Sequence, residues 1–191
     1  MAGGCTTPVV DSDDRCVTAS VRASVAVPPA RDRSRVGAGP RAWTAALLGA
    51  ALFVQGHGVH LAANSISFAR GDAPPTHLWD EVVGHALWFV GLTVLLVAVA
   101  HSIRAAPVPL GAAAHALALL VGATWAVNVV EAGHAPLGVA LAVGLVAYGW
   151  RTRAAAPGRL LVLGFSLSLV LVAAWGLWQG GYPQPSELGW L

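Results

Sequence analysis

Five side chains that can bind a metal ion or carry a proton lie within one segment of the chain, residues 55–88. They are His57, His60, Asp80, Glu81 and His85. Two histidines three positions apart, together with a carboxylate and a histidine from a second helix, match the nitrogen and oxygen ligands of tetrahedral zinc. Water bound to such a zinc ion ionises near neutral pH and attacks esters or amides. The segment therefore predicts a zinc-type metal site that acts on a lipid-like substrate.

Further polar residues are expected around these ligands. Asn64, Glu131 and His134 are candidates for holding the ring N–H groups of the ligands or for contacting the substrate. No catalytic residue is assigned. The sequence contains no HExxH, GxGxxG, P-loop, GxSxG, CxxC or CxxCH motif. The motifs typical of nucleotide-binding proteins, serine hydrolases, thioredoxin-like proteins and c-type haem proteins are thus missing.

Two other classes of function fit the same residues. A b-type haem protein needs two histidines at similar depth on facing helices. The candidate axial ligands are His57, His60, His85 and His134. Against haem, Glu81 and Glu131 fit poorly beside an apolar macrocycle. The third class is a non-catalytic membrane subunit or small transporter, in which the polar side chains bind one another or an ion.

Composition places all these residues in a membrane protein. Of the 191 residues, 56% are hydrophobic and 10% are charged, and the mean hydropathy is +0.66. Soluble domains have about 25% charged residues. All 11 basic residues are arginine, which together with the abundant Ala, Val, Gly and Leu suggests a GC-rich bacterial genome. The net charge of +2 gives no indication of nucleic-acid binding, and the expected partner is the lipid bilayer.

Five apolar stretches separated by Gly, Pro and Arg predict an all-α, polytopic membrane helix bundle of about five transmembrane helices within residues 42–191. The predicted spans are 43–68, 78–103, 108–133, 137–150 and 160–179. Residues 1–41 are rich in Arg, Pro and Ser and are predicted to form a disordered cytoplasmic tail. Both cysteines, Cys5 and Cys16, lie in it. Four glycines are candidates for close contacts between helices: Gly84, Gly91, Gly122 and Gly144.

The polar residues are predicted to meet near one membrane surface. Counted from Trp43 at about 1.5 Å per residue, His57 and His60 lie about 21 and 25 Å into a core of about 30 Å. The second helix runs the opposite way and places Glu81 and His85 about 5 and 10 Å below that surface. Each group also falls on one stripe of its helix. Ionisable residues at such depth mark functional sites.

The segments HGVHLAANSI, LWDEVVGHALW and PQPSELG resemble motifs of a bacterial multi-pass membrane family of uncharacterised function. The resemblance covers Trp43 to Leu191 and implies no activity. More distantly, histidines and an aspartate near one membrane face resemble the alkaline ceramidase and adiponectin-receptor-like hydrolases. That resemblance implies His60, Asp80 and His85 as metal ligands. This chain has five predicted spans where those proteins have seven, and Gln179 stands near the place of their late histidine pair.

Arginine placement predicts the orientation in the cell membrane. Arg104, Arg151, Arg153, Arg159 and the arginines of the tail fall on one side, and Arg70 falls on the other. Because cytoplasmic loops carry the excess of arginine, the N-terminus is expected in the cytoplasm and the C-terminus outside. Reporter fusions after Leu191 and between Arg151 and Arg159 should report the outside and the cytoplasm, respectively. A cytoplasmic signal after Leu191 would contradict the five-span topology.

Overall fold

The computed structural model describes residues 39–71, 73–106, 110–133, 135–185 and 187–190. These residues form five long helices and no strand, which confirms the predicted all-α bundle. The helices are α1 (Pro40–Arg70), α2 (Pro74–Ile103), α3 (Ala112–Glu131), α4 (Ala135–Arg151) and α5 (Ala156–Gln179). The predicted disordered tail lies outside the described residues up to position 38.

Four of the helices are long and apolar enough to cross a membrane. They are α1, α2, α3 and α5, with 31, 30, 20 and 24 residues. The fourth helix in the chain, α4, is apolar but has 17 residues, which is at the lower limit for crossing the hydrocarbon core. The chain therefore has the architecture of a multi-pass membrane protein.

Proline and glycine residues mark several of the helix ends. Pro40 begins α1 in a first-turn position that needs no N–H donor. Gly180, with a φ of 67°, takes the left-handed conformation that ends α5. Gly133, with a φ of 61°, makes the turn between α3 and α4. These breaks leave helix ends within four residues of the predicted spans.

The core lies between two packed groups of helices. Helix α1 packs along α2, and α5 packs against both α3 and α4. Phe89 of α2 and Phe165 of α5 meet on the ring of Trp125 in α3, with ring centroids 4.9 and 5.2 Å from it. The Trp125 indole N–H donates to the Gly138 carbonyl of α4 at 3.2 Å. One buried indole thus contacts three neighbouring helices.

Small residues repeat every seven positions along the contact between α1 and α2. On α1 they are Gly49, Gly56 and Ala63, and on α2 they are Gly84, Gly91 and Ala98; all six are buried. A Cβ atom at Gly56 would lie 2.6 Å from the Gly84 carbonyl oxygen, and one at Gly49 would lie 2.9 Å from that of Gly91. We call this contact the small-residue seam. Without side chains here, the two backbones approach each other directly.

Three of the four glycines predicted at close contacts are confirmed. Gly84 and Gly91 belong to the small-residue seam, and a Cβ atom at Gly122 in α3 would overlap the Gly164 carbonyl of α5. The prediction for Gly144 is wrong, because this residue is exposed on α4 and has nothing within 4 Å of its Cβ position. Sequence alone did not distinguish the buried side of α4 from the exposed one.

Gly122→Ala and Gly144→Ala form a matched test of this packing. The added methyl group at Gly122 forces α3 and α5 apart, and we expect a loss of about 1–3 kcal/mol in unfolding free energy. The same change at Gly144 meets open space and should be neutral or slightly stabilising, since Ala favours helix by up to about 1 kcal/mol over Gly. Thermal unfolding in detergent measures both. Equal melting temperatures would contradict the close contact.

Candidate functional site

A π-helical segment in α2 carries both acidic residues of the predicted site. It spans Leu78–Gly84, and Asp80 in it is 8% exposed although it lies in an apolar helix. In such a segment the backbone hydrogen bonds join residues five apart in place of four, which widens the helix. Segments of this kind are frequent at functional sites. The sequence analysis did not predict this segment.

His60 of α1 faces Asp80 across the small-residue seam. Its Nδ1 lies 2.5 Å from Asp80 Oδ1, and both atoms are buried. Its other nitrogen, Nε2, lies 3.3 Å from the side-chain nitrogen of Asn64. Because an amide nitrogen can only donate, Nε2 accepts, which puts the proton of a neutral ring on Nδ1 opposite the carboxylate. His60 is thus held between a hydrogen-bond donor and a carboxylate.

Close approach of the backbones makes this pair possible. A Cβ atom at Gly84 would lie 3.1 Å from the backbone nitrogen of His60 and 3.2 Å from its Cβ. The glycine therefore lets His60 lie directly over the π-helical segment. A Cβ atom at this position would require its neighbours, His60 among them, to shift by a few tenths of an ångström.

Glu81 and His85 form a second pair beside the first. His85 Nδ1 lies 3.2 Å from the backbone carbonyl oxygen of Glu81 and 3.6 Å from Oε2 of the Glu81 side chain. We take the shorter contact, to the carbonyl, as the hydrogen bond, because 3.6 Å is too long for one. The His85 ring also contacts the ring of His60, with centroids 4.7 Å apart. The two pairs therefore make one continuous group of four side chains, His60, Asp80, Glu81 and His85, which we call the His–acid cluster.

Residues after α5 fold back onto this cluster. The side-chain nitrogen of Gln184 donates to Glu81 Oε2 at 3.4 Å. The same nitrogen would lie 2.9 Å from a Cβ atom at Gly133, in the turn that follows α3. The Trp175 indole N–H donates to the Pro183 carbonyl at 3.1 Å and so ties this segment to α5. Sequence reasoning missed Gln184, whose only signal was its place in the PQPSELG segment.

The other predicted site residues take no direct part. His57 is exposed, and its ring lies 6.5 Å from that of His60 and stacks at 6.3 Å on Phe53. Asn64 does contact His60, as expected for a residue that orients a ring. Glu131 Oε2 is buried with no hydrogen-bond partner in the described part of the chain. His134 lies outside the described residues.

The arrangement does not make a preformed zinc site. Among the described residues, no group of three or more His, Cys, Asp or Glu side chains is placed to hold a metal ion. Nδ1 of His60 faces Asp80, Nδ1 of His85 faces a carbonyl of its own helix, and His57 is turned outward. The predicted ligands are brought together as side-chain pairs, and the prediction of metal binding gains no support.

The His–acid cluster also fits a haem poorly. A haem with two histidine ligands lies between their rings, with the iron bonded to both. The rings of His60 and His85 are already in contact, with centroids 4.7 Å apart. This spacing leaves no room for a macrocycle between them.

Comparisons with protein-family models, curated proteins and solved structures find no match to this chain. The resemblance to an uncharacterised bacterial membrane family and the more distant one to membrane hydrolases therefore stay predictions.

A double-mutant cycle between His60→Ala and Asp80→Ala measures the interaction free energy of the His60–Asp80 pair. Each single change leaves one buried polar atom without its partner and should cost about 1–3 kcal/mol of unfolding free energy. The double variant should cost less than the sum of the two, because no orphaned partner remains. His115→Ala, an exposed histidine that bonds the Gly111 carbonyl at the start of α3, is the control and should be additive with Asp80→Ala. Additivity in both cycles would contradict a direct His60–Asp80 interaction.

Proposed function

We propose that this chain is a small multi-pass membrane protein that exchanges protons at the His60–Asp80 pair. It would act as a small transporter. The observation that carries the proposal is the carboxylate of Asp80, buried in an apolar helix with Nδ1 of His60 at 2.5 Å. Ionisable pairs of this kind inside membrane proteins mark proton and ion pathways.

The chemistry of the pair suits proton exchange. A lone carboxylate in an apolar span is costly, so it is retained where a partner or a proton compensates its charge. Imidazole is the side chain that gains and loses a proton near neutral pH. Because the two groups are in contact, a proton can pass between them without creating an isolated buried charge.

Neighbouring polar groups flank the pair along both helices. The His85 ring touches His60 on one side, and the exposed His57 ring lies 6.5 Å away on another. Asn64, also exposed, contacts His60 from the end of α1. Asn64 lies nearer the end of its helix than the pair, whereas His57 and His85 lie nearer the middle of theirs. These side chains, with intervening water, would carry protons between the pair and the solution.

The zinc-dependent hydrolase remains the alternative for the same residues. It is favoured by the contact of His60, Asp80 and His85, all three of which can bind zinc. It would require rotation of His85 away from the Glu81 carbonyl to bring a third donor to a common point. In that case His60, Asp80 and His85 would hold the ion, and the ion would supply an activated water for attack on a lipid-like ester or amide.

Proton flux into proteoliposomes tests the proposal. Vesicles with an internal pH dye and an internally negative potassium potential should acidify faster with the protein than without it. Asp80→Asn keeps the shape of the side chain but removes the charge, so flux should fall to that of protein-free vesicles. Glu187→Gln removes an exposed carboxylate and should leave the flux unchanged.

Two results would overturn the proposal. One is the same flux from the parent protein and from protein-free vesicles. The other is near-stoichiometric zinc in the purified parent that is lost in His60→Ala and retained in His115→Ala. The second result would assign the cluster to the metal-dependent alternative.

A further inference from the structure

A groove lies at the opposite end of α1 and α2 from the His–acid cluster. It encloses about 400 Å³, and its lining includes Arg41, Ala45, Thr93, Val97, Ala98 and His101. His60 follows Arg41 by 19 residues along α1, or about 28 Å at 1.5 Å per residue. The groove is therefore separate from the proposed proton site. Because Ala98 also ends the small-residue seam, the groove opens where the seam stops.

The mouth of the groove is cationic. Arg41 lies in the first turn of α1 and His101 in the last turn of α2. Within the described residues neither side chain forms an ion pair, and none of the four acidic side chains of this part of the chain lines the groove. The first turn of α1 holds no acidic residue, and Gly39 gives it no side-chain cap. The positive end of the helix dipole thus adds to the charge of Arg41.

The wall below this mouth is apolar. Thr93, Val97 and His101 follow each other at four-residue intervals on one face of α2, so the groove runs about 12 Å along the helix. Val94 and Ala98 form the adjacent row, and Ala45 faces them from α1. Near the deep end, the Thr93 hydroxyl oxygen is buried without a hydrogen-bond partner among the described residues. A long apolar wall suits an acyl chain.

We propose that this groove binds an anionic phospholipid, with the phosphate at Arg41 and His101 and an acyl chain against Ala45, Val94 and Val97. Charge complementarity identifies the occupant, because Arg41, which has no acidic partner among the described residues, stands with the His101 ring above an apolar channel between candidate membrane spans. Basic pockets between transmembrane helices bind anionic headgroups in this way. A free phosphate ion would leave the apolar wall unused. A second copy of this chain would bring like charges together.

Thermal unfolding in detergent, with added phosphatidylglycerol or phosphatidylcholine of the same chains, tests the site. The parent should be stabilised by phosphatidylglycerol at concentrations that have no effect for phosphatidylcholine. Arg41→Gln should raise the half-saturating concentration about fivefold, as expected for one arginine near a membrane surface, and His101→Gln should raise it as well. Ala45→Phe, which fills the apolar part, should abolish the response.

Arg159→Gln is the matched control, because it removes one arginine that does not line the groove. It should keep the response of the parent. If Arg41→Gln does not fold, His101→Gln gives the same comparison. Equal stabilisation by phosphatidylcholine would overturn the proposal, as would equal weakening by Arg159→Gln. Equal protection by inorganic phosphate would mean that an anion, without a lipid chain, is enough, and would overturn it as well.

Discussion

The close approach of the α1 and α2 backbones is the constraint on which the rest of the structure depends. Water drives no apolar association inside a bilayer, since lipid is as apolar as the helices, so contact between helices must come from packing. The seven-residue repeat of small residues supplies this contact over Gly49, Gly56 and Ala63 on α1. Only because the backbones are so close can the Nδ1 atom of His60 reach Asp80. The close packing of the two helix backbones thus makes the polar site possible.

The same seam also separates two chemically different ends. Beyond Gly84 lies the His–acid cluster, and beyond Ala98 lies the groove beneath Arg41 and His101. Between these ends the contact is made of small apolar residues with no room for water or ions. Protons or ions at the cluster therefore cannot pass along the seam to the basic end. A transporter built on this chain would therefore carry protons across by a path other than the seam.

Sequence periodicity predicted the helices well, because they follow from the 3.6-residue repeat and from Pro and Gly. It placed His60 and Asp80 at a similar depth for the same reason. It did not predict which of two adjacent acids, Asp80 or Glu81, faces α1. Both carboxylates lie within one turn of Gly84, and a hydrophobic pattern does not distinguish them. The prediction for Gly144 was wrong for a related reason. An apolar helix has no sequence pattern that distinguishes its lipid-facing side from its protein-facing side.

The sequence also did not predict which residues far apart along the chain contact each other. Gln184 reaches Glu81 from beyond α5, and Trp175, Trp178 and Trp190 pack edge-on or tilted around one another beneath it. The residues after α5 look like a short polar end in the sequence, yet they cover one side of the His–acid cluster. Since Gln184 also lies against Gly133, its side chain connects α2, the turn after α3 and the end of α5. Motion of any of these elements would therefore alter the surroundings of Glu81, and through His85 those of His60.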